Sequence, residues 1–208
     1  IRLSGYRADS LKDFKDVFKD SSPFFEFDGQ VIRGIDNDNV SGNNILDGSD
    51  IILMRHGGHG DGFINDCVGN SIGGAQVAES KFLVNDKGEL VCIPDLINNP
   101  NTRETLIDGV EDMQIFYGVD TDSDFTANYY VPANDIPNGS EVVSVRISLL
   151  LQSDPKIATQ AQAYRWFDTD NKPKTFDGDE EDKFTDKEDE RRLRKVFSST
   201  TAVRNLVD

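Results

Sequence analysis

The 208-residue sequence predicts an α+β domain made mostly of antiparallel β-sheet. Segments with the pattern of a strand far outnumber the one segment with the pattern of a helix. The strand segments also follow one another at hairpin-like spacing, which favours antiparallel pairing. Because no internal repeat or clean boundary divides the chain, we expect one domain over residues 1–208. Long acidic and Gly/Asn-rich loops should connect its elements.

A short amphipathic helix is predicted near the N-terminus, over residues 10–19. Ser10 stands where an N-cap belongs, and Pro23 ends the helical pattern. The apolar residues of the predicted face, at positions i, i+3 and i+7, are Leu11, Phe14 and Phe18. We expect this helix to pack on the sheet.

The first half of the chain contains three predicted strands. Residues 50–54 (DIILM) form a short apolar run bounded by turn signals, which is typical of a buried strand. Residues 81–85 and 89–93 flank the turn sequence Asp86-Lys87-Gly88 and predict a β-hairpin. The region before them, residues 28–50, is rich in Asn, Asp, Gly and Ser and predicts an irregular surface loop around short extended pieces.

The second half contains the clearest strand, over residues 141–152. Apolar side chains alternate along it with period two, which places on one face Val143, Val145, Ile147, Leu149 and Leu151. Residues 112–117 alternate well enough for a strand, and residues 163–167 form a weaker one. Residues 196–203 are rich in β-branched side chains and should close a sheet.

An acidic tract lies between the last two predicted strands. Residues 177–190 carry nine acids and two lysines, and their mutual repulsion predicts a solvated loop. Arginines follow directly, and the i, i+4 pairs Glu188–Arg192 and Glu190–Arg194 would suit one or two helical turns.

The composition excludes several function classes. A formal net charge of -16 disfavours nucleic acid and anionic membrane surfaces as partners, because both require clustered Lys and Arg. No run of eighteen apolar residues is present, so no segment has the pattern of a membrane-spanning helix. The 37% of hydrophobic residues is adequate for a core.

The strongest metal signal is the run of alternating carboxylates Asp120, Asp122 and Asp124. Carboxylates at this spacing resemble the first half of an EF-hand loop and predict a calcium site. The pattern then fails at position six, where Phe125 replaces glycine, and at position twelve, where Val131 replaces glutamate. The alternative is a polar turn between two strands, with Asp side chains capping backbone N–H groups.

The enzymatic signals are weaker. Arg55-His56-Gly57 follows a predicted strand as in histidine phosphatases, but the other histidine, His59, lies in the same loop and cannot readily face His56 across a pocket. A zinc set is conceivable in the same loop, comprising His56, His59, Asp61 and Asp66. The chain has no Ser-His-Asp order, nucleotide-binding glycine loop or CxxC motif. We therefore expect no enzyme activity.

Four segments carry a resemblance to a known family. They are IRLSGYR (residues 1–7), LIDGVEDMQIFYGVDTDSD (106–124), EVVSVRISLLL (141–151) and RRLRKVFSSTTAVRN (191–205). Together they resemble the PilW-type minor pilins of bacterial type IV pili, which are related to the minor pseudopilins of type II secretion. The first segment is similar to the end of the long N-terminal pilin helix.

The resemblance implies a structural protein with a pilin-like head. An apolar helix preceding Ile1 would anchor the head in the inner membrane, on the periplasmic side, and the protein would become extracellular in the assembled pilus. Its partners would be other minor pilins, the major pilin and a tip adhesin. Its function would be to prime pilus assembly and to sit at or near the tip. The alternative class is a secreted or surface calcium-binding adhesion module.

The two cysteines, Cys67 and Cys92, fit either two free thiols or one disulfide, and the cellular compartment decides between these. The resemblance implies the periplasm and therefore a Cys67–Cys92 disulfide. Such a bridge closes a loop of about 25 residues and should stabilise the fold by roughly 3 kcal/mol.

Overall fold

The computed structural model describes residues 24–25, 30–36, 44–58, 63–73, 76–94, 101–153, 163–167, 173–176 and 192–203. The strands are β1 (Ile32–Ile35), β2 (Ile51–Gly57), β3 (Val77–Val84), β4 (Leu90–Ile93), β5 (Glu104–Ile107), β6 (Val110–Asp120), β7 (Tyr129–Val131), β8 (Glu141–Gln152), β9 (Tyr164–Phe167), β10 (Pro173–Phe176) and β11 (Arg194–Ala202). One 3₁₀ turn, η1 (Ala133–Asp135), precedes β8.

Every strand pairs antiparallel with its neighbours, in three sheets. The first sheet has the order β1-β2-β3-β4-β5, the second has the order β11-β8-β6-β7, and β9 and β10 form a hairpin of their own. Gly109 lies in the turn between β5 of the first sheet and β6 of the second. Its φ of +70° and the 2.8 Å from a Cβ built there to the Gln152 carbonyl oxygen explain the need for glycine.

The main core lies between the first two sheets. Ile52 of β2 and Val84 of β3 pack in one cluster with buried residues of β6 and β8. Those residues of the second sheet are Val110, Met113, Ile115, Tyr117 and Val145. The opposite face of the first sheet holds a second cluster, which includes Ile51, Leu53 and Phe25. The alternation of Ile51, Ile52 and Leu53 between the two clusters follows from the two-residue period of a strand.

All eleven residues of β6 are buried. β8 pairs along one edge of β6, whereas β7 pairs only with residues 117–119 of the other edge. Met113 and Ile115 on that edge are hydrogen-bonded by the segment before β2. The Asp50 N–H donates to the Met113 carbonyl (2.8 Å), and the Ile115 N–H donates to Oδ2 of Asp50 (2.7 Å). Side chains that precede β2 therefore satisfy backbone groups that would otherwise be buried without partners.

The α+β prediction is wrong. The described residues are almost entirely β, and their one helical element is the single turn η1. In the described part, the core of the second sheet packs against β2 and β3 and not against a helix, because those strands carry apolar residues on both faces. The predicted helix at residues 10–19 lies outside the described residues. Within the described part, no helix has the length and hydropathy to cross a membrane.

Most strand predictions are confirmed. β8 matches its predicted bounds, the predicted hairpin is formed by β3 and β4, and β9 and β11 lie within about two residues of their predicted bounds. The predicted strand at 112–117 is longer at both ends and becomes β6. The acidic tract, residues 177–190, lies outside the described residues.

Cys67 and Cys92 form the implied disulfide, with a sequence separation of 25 residues and a Cα–Cα distance of 6.6 Å. Cys92 is fully buried on β4, so the bridge fastens the loop between β2 and β3 to the first sheet. The bridge limits the conformations of the unfolded chain.

Reduction of this disulfide should lower the free energy of unfolding by roughly 3 kcal/mol, because the unfolded chain regains the freedom of the closed loop. Urea unfolding with and without dithiothreitol measures the difference. The Cys67→Ala/Cys92→Ala variant is the control, and its unfolding midpoint should not respond to the reductant. Equal midpoints for oxidised and reduced wild-type protein would contradict the prediction.

Candidate interaction surface

The carboxylate of Asp120 organises the turn between β6 and β7. Its Oδ1 accepts the N–H groups of Asp122 (3.1 Å) and Ser123 (2.8 Å), and its Oδ2 accepts the N–H of Phe125 (2.7 Å). Ser123 and Phe125 have φ of +62° and +63°, the left-handed region that L-residues rarely adopt. The three hydrogen bonds hold this turn in a conformation that its residues do not favour on their own.

The second half of the turn is closed in the same way. Oδ1 of Asp124 accepts the Thr126 N–H (2.8 Å), and Oδ1 of Asn128 accepts both the N–H and the hydroxyl of Thr121 (2.7 and 3.0 Å). The Asn128 N–H donates to the Val119 carbonyl and returns the chain to the sheet. The polar turn predicted as the alternative to a calcium loop is therefore confirmed as a structural role.

Asp120, Asp122 and Asp124 each offer a carboxylate oxygen, and these atoms lie within 4.8 Å of one another. Carboxylate oxygens are suitable ligands for a hard cation, but calcium takes about six to eight oxygen ligands. The carboxylate of Asp120 already accepts three hydrogen bonds from backbone N–H groups, which compete with a bound cation. Asp120 is buried, whereas Asp122 and Asp124 are exposed. A calcium site here stays a prediction.

The contribution of the Asp120 turn to the stability of the fold should depend on pH. Burial by itself would raise the pKa of Asp120, but the backbone hydrogen bonds from Phe125, Asp122 and Ser123 outweigh it and hold the pKa below its ordinary value of 3.8. Because the pKa of Asp120 is lower in the folded state than in the unfolded state, the ionised carboxylate stabilises the fold when the pH is above the pKa of the unfolded state. That contribution is lost as the pH falls through the folded pKa.

We expect Asp120→Asn to unfold at lower temperature than the wild type at pH 7, and the gap to narrow as the pH falls below about 4. Thermal unfolding followed by circular dichroism across pH 2–7 measures this. Asp135→Asn, which changes an exposed aspartate of η1, is the matched control and should show no such gap. If the difference in unfolding temperature does not change with pH, ionisation of Asp120 is not its cause.

Arg55, the first residue of the phosphatase-like motif, is buried in the structure. The Arg55 side chain is 1% exposed, and its Nη1 lies 3.8 Å from Oε1 of Glu79 on the neighbouring strand. Its Nε donates to the Gln30 carbonyl, and its guanidinium lies 4.3 Å from the centre of the Phe25 ring. Arg55 is therefore a buried structural residue, which the three-residue motif did not reveal.

The histidine loop is only partly described. His56 belongs to β2, and its Nε2 hydrogen-bonds to the Asn65 carbonyl (3.2 Å). Oδ1 of Asp66 accepts the N–H groups of Val68 and Asn70, so Asp66 caps a turn beside Cys67. His59 and Asp61 lie outside the described residues. The zinc set stays a prediction that these contacts do not favour.

The four end strands of the two larger sheets differ in length. β1 and β5 have four residues each and β7 has three, whereas β11 has nine. β11 pairs with β8 in unbroken register from Arg194 to Ala202. Residues 197–202 are all exposed and contain no charge, proline or glycine. Edge strands are normally protected by shortness, charge, proline or a bulge, and this part of β11 has none of these protections.

Basic side chains surround the start of β11. Arg192 donates from Nη1 to the Ser153 carbonyl (2.8 Å), and Arg194 forms an ion pair with Glu111 on β6. Lys195 is exposed, with its Nζ 5.1 Å from the centre of the Phe197 ring. Lys195 is therefore an exposed cation at this end of β11, in a chain whose net charge is -16.

Comparison with known proteins identifies the family. The family described as PilW, Type IV Pilus-assembly protein W, matches residues 74–205. That range contains β3 to β11 and therefore the Asp120 turn and the β11 edge. No curated protein matches the chain significantly, and no solved structure does. Because the matched range is more than half of the 208 residues, the chain belongs to the PilW family of type IV pilus-assembly proteins.

Proposed function

We propose that this protein is the head of a minor pilin, which co-assembles with other minor pilins, primes pilus assembly and sits at or near the pilus tip. Membership of the PilW family supports a role in type IV pilus assembly. An N-terminal helix before Ile1 would anchor the head on the periplasmic side of the inner membrane until assembly. The major pilin and a tip adhesin are the further partners of this proposal.

The single observation that carries a docking role is the β11 edge. A nine-residue edge with six consecutive exposed, uncharged residues is a liability for a protein that stays alone. A neighbouring subunit that covers this edge in a filament removes the liability, because it keeps unrelated strands from pairing there. The geometry therefore favours a protein that acts by presenting a surface.

Deletion and complementation test this function. Cells that lack the full-length protein should have few or no surface pili, and the wild-type gene should restore them. A His56→Ala gene should restore pili equally well, because the proposal assigns no chemistry to that residue. Purified full-length protein should also retain other minor pilins in a pull-down. Normal piliation of the deletion strain would overturn the proposal.

The second candidate, a calcium-binding adhesion module, is favoured by one observation, the convergence of Asp120, Asp122 and Asp124. Titration calorimetry of the native chain and of Asp122→Ala with calcium chloride tests it. Binding heat in the native chain that is lost in the variant would support calcium binding. No heat at millimolar calcium would leave the carboxylates as the caps of a turn.

A further inference from the structure

We propose that the outer edge of β11 receives an extended segment of another pilus-assembly subunit, which adds a strand to the second sheet. This inference rests on the proposed function and names the docking site and the chemistry of the partner segment. Among the residues that the structure describes, β8 is the neighbour of β11 and no strand pairs with its other side.

The backbone hydrogen bonds fix which residues of β11 face outward. The Ser153 N–H donates to the Leu193 carbonyl, and the Val203 N–H donates to the Val143 carbonyl, both at 2.8 Å. Bonded pairs alternate with unbonded pairs in an antiparallel ladder, so the odd-numbered residues of this segment bond to β8. The even-numbered residues therefore direct their N–H and C=O groups to the outer edge, and the central ones are Val196, Ser198 and Thr200.

The side chains of β11 define what the added strand should carry. Phe197, which is 49% exposed, pairs with half-buried Leu149 on the face that continues from the main core. An added strand should place apolar side chains on that face. On the other face, Ser198 hydrogen-bonds to Ser148 (2.8 Å), and Thr200 accepts a hydrogen bond from Nε of Arg146 (3.3 Å). Small or polar side chains suit that face.

The net charge opposes a second copy as the partner and favours a different protein. Two copies would bring together chains that each carry a net charge of -16, and their repulsion opposes self-association. Exposed Lys195, near the start of β11, instead fits an acidic residue at one end of the added strand. The partner segment thus alternates apolar and polar residues and carries an acid beside Lys195.

Ser198→Pro and Ser198→Ala form a matched pair for the test. Both variants lose the hydroxyl contact to Ser148, but only proline removes the outward N–H and places a ring in the docking edge. The full chain is titrated against each purified minor pilin, with circular dichroism to confirm folding. We expect Ser198→Pro to weaken binding about tenfold or more, and Ser198→Ala to stay within about twofold of wild type.

Lys195→Glu is a second variant that leaves the backbone unchanged, and it covers the case in which Ser198→Pro does not fold. It should weaken binding about fivefold and reduce the dependence of the association rate on salt. A photo-crosslinking residue at Thr200, in cells with the complete pilus machinery, should form crosslinks to one extended segment of a partner subunit.

The outcomes separate this inference from the function on which it rests. If the wild-type chain binds no other pilus subunit, the proposed function fails. If the wild type binds and Ser198→Pro binds equally well, the edge proposal is overturned and the function stands. Crosslinks from Thr200 to this same chain, or a dimer that Ser198→Pro dissociates, would also overturn the proposed partner.

Discussion

Replacing Arg194 with methionine is expected to lower the free energy of unfolding by about 3–5 kcal/mol. Nε and Nη2 of Arg194 donate to the two carboxylate oxygens of Glu111 at 2.7 and 2.8 Å. The two side chains are only 6% and 8% exposed, so water screens the pair weakly. Without the guanidinium, the buried Glu111 carboxylate loses this counter-charge and two charge-assisted hydrogen bonds, and that loss dominates the effect.

The position of this ion pair in the sheet increases its importance. The register of β6 against β8 shifts between Val110 and Asp112, which leaves Glu111 as the extra residue of a bulge. Arg194 lies on β11, on the far side of β8, and so the ion pair joins two strands that are not neighbours. It therefore fixes the start of the exposed edge strand relative to the buried strand of the sheet.

Urea unfolding followed by circular dichroism measures the loss. Lys195→Met is the control, since Lys195 is the exposed neighbour on the same strand, and it should change stability by less than about 0.5 kcal/mol. The double variant Glu111→Leu/Arg194→Met should recover most of the loss, because it removes both charges. A loss below about 1 kcal/mol in Arg194→Met would show that the pair contributes no more than a surface ion pair.

Replacing Trp166 with alanine is expected to lower the free energy of unfolding by a similar amount, about 3–5 kcal/mol. Trp166 on β9 is 1% exposed and packs on fully buried Leu150. Its indole N–H donates to Oδ2 of Asp112 (2.9 Å), a carboxylate that is itself buried on β6. The substitution removes a large apolar group and one hydrogen-bond donor to a buried carboxylate at the same time.

A conservative variant separates the two contributions. Trp166→Phe keeps an aromatic ring but loses the hydrogen-bond donor. We expect it to lower the free energy of unfolding by about 1.5–3 kcal/mol relative to wild type. Because the chain contains one tryptophan, its fluorescence is absent in these variants, so unfolding must be followed by circular dichroism. Tyr129→Ala, at an exposed aromatic on β7, is the control. Equal stabilities for Trp166→Phe and wild type would show that the hydrogen bond to Asp112 is energetically neutral.

The sequence predicted well those strands that have one polar face. β8 shows period two because one of its faces packs in the main core while the other carries Ser144, Arg146 and Ser148. The β3–β4 hairpin was predictable because its turn chemistry is local. Oδ1 of Asn85 accepts the N–H groups of Lys87 and Glu89, and Gly88 has a φ of +73°. Neither feature depends on distant parts of the chain.

The length of β6 was not predictable from alternation. Its second face carries Phe116 and also Asp112 and Gln114, two polar residues that look solvent-facing in the sequence. The structure covers that face with β9, where Trp166 bonds to Asp112 and Phe167 lies 4.9 Å from Phe116. When both faces of a strand are buried, the alternation between apolar and polar residues that predicts a strand is weakened.

The candidate interaction surface was also only partly predictable from the sequence. The sequence located the Asp120 run and the strand near residues 196–203, but it could not show which strand would lie at the end of a sheet. The i, i+4 spacing suited a helical turn at Arg194, yet Arg194 begins β11, and its guanidinium binds the carboxylate of Glu111, 83 residues away in the sequence. Sequence spacing describes neighbours along one element and gives no information on neighbours across a sheet.

The sequence by itself determined the local features of this protein: the strand of residues 141–152, the hairpin turn, the capping aspartates and the family to which the segments belong. Side-chain alternation and short-range hydrogen bonding are sufficient for these, because they act within a few residues. Only the tertiary structure decided that two sheets pack on each other, that Glu111 meets Arg194, and that β11 lies at the end of its sheet in the described part of the chain. Those features depend on which distant segments come together, and that choice is made by the packing of the whole core.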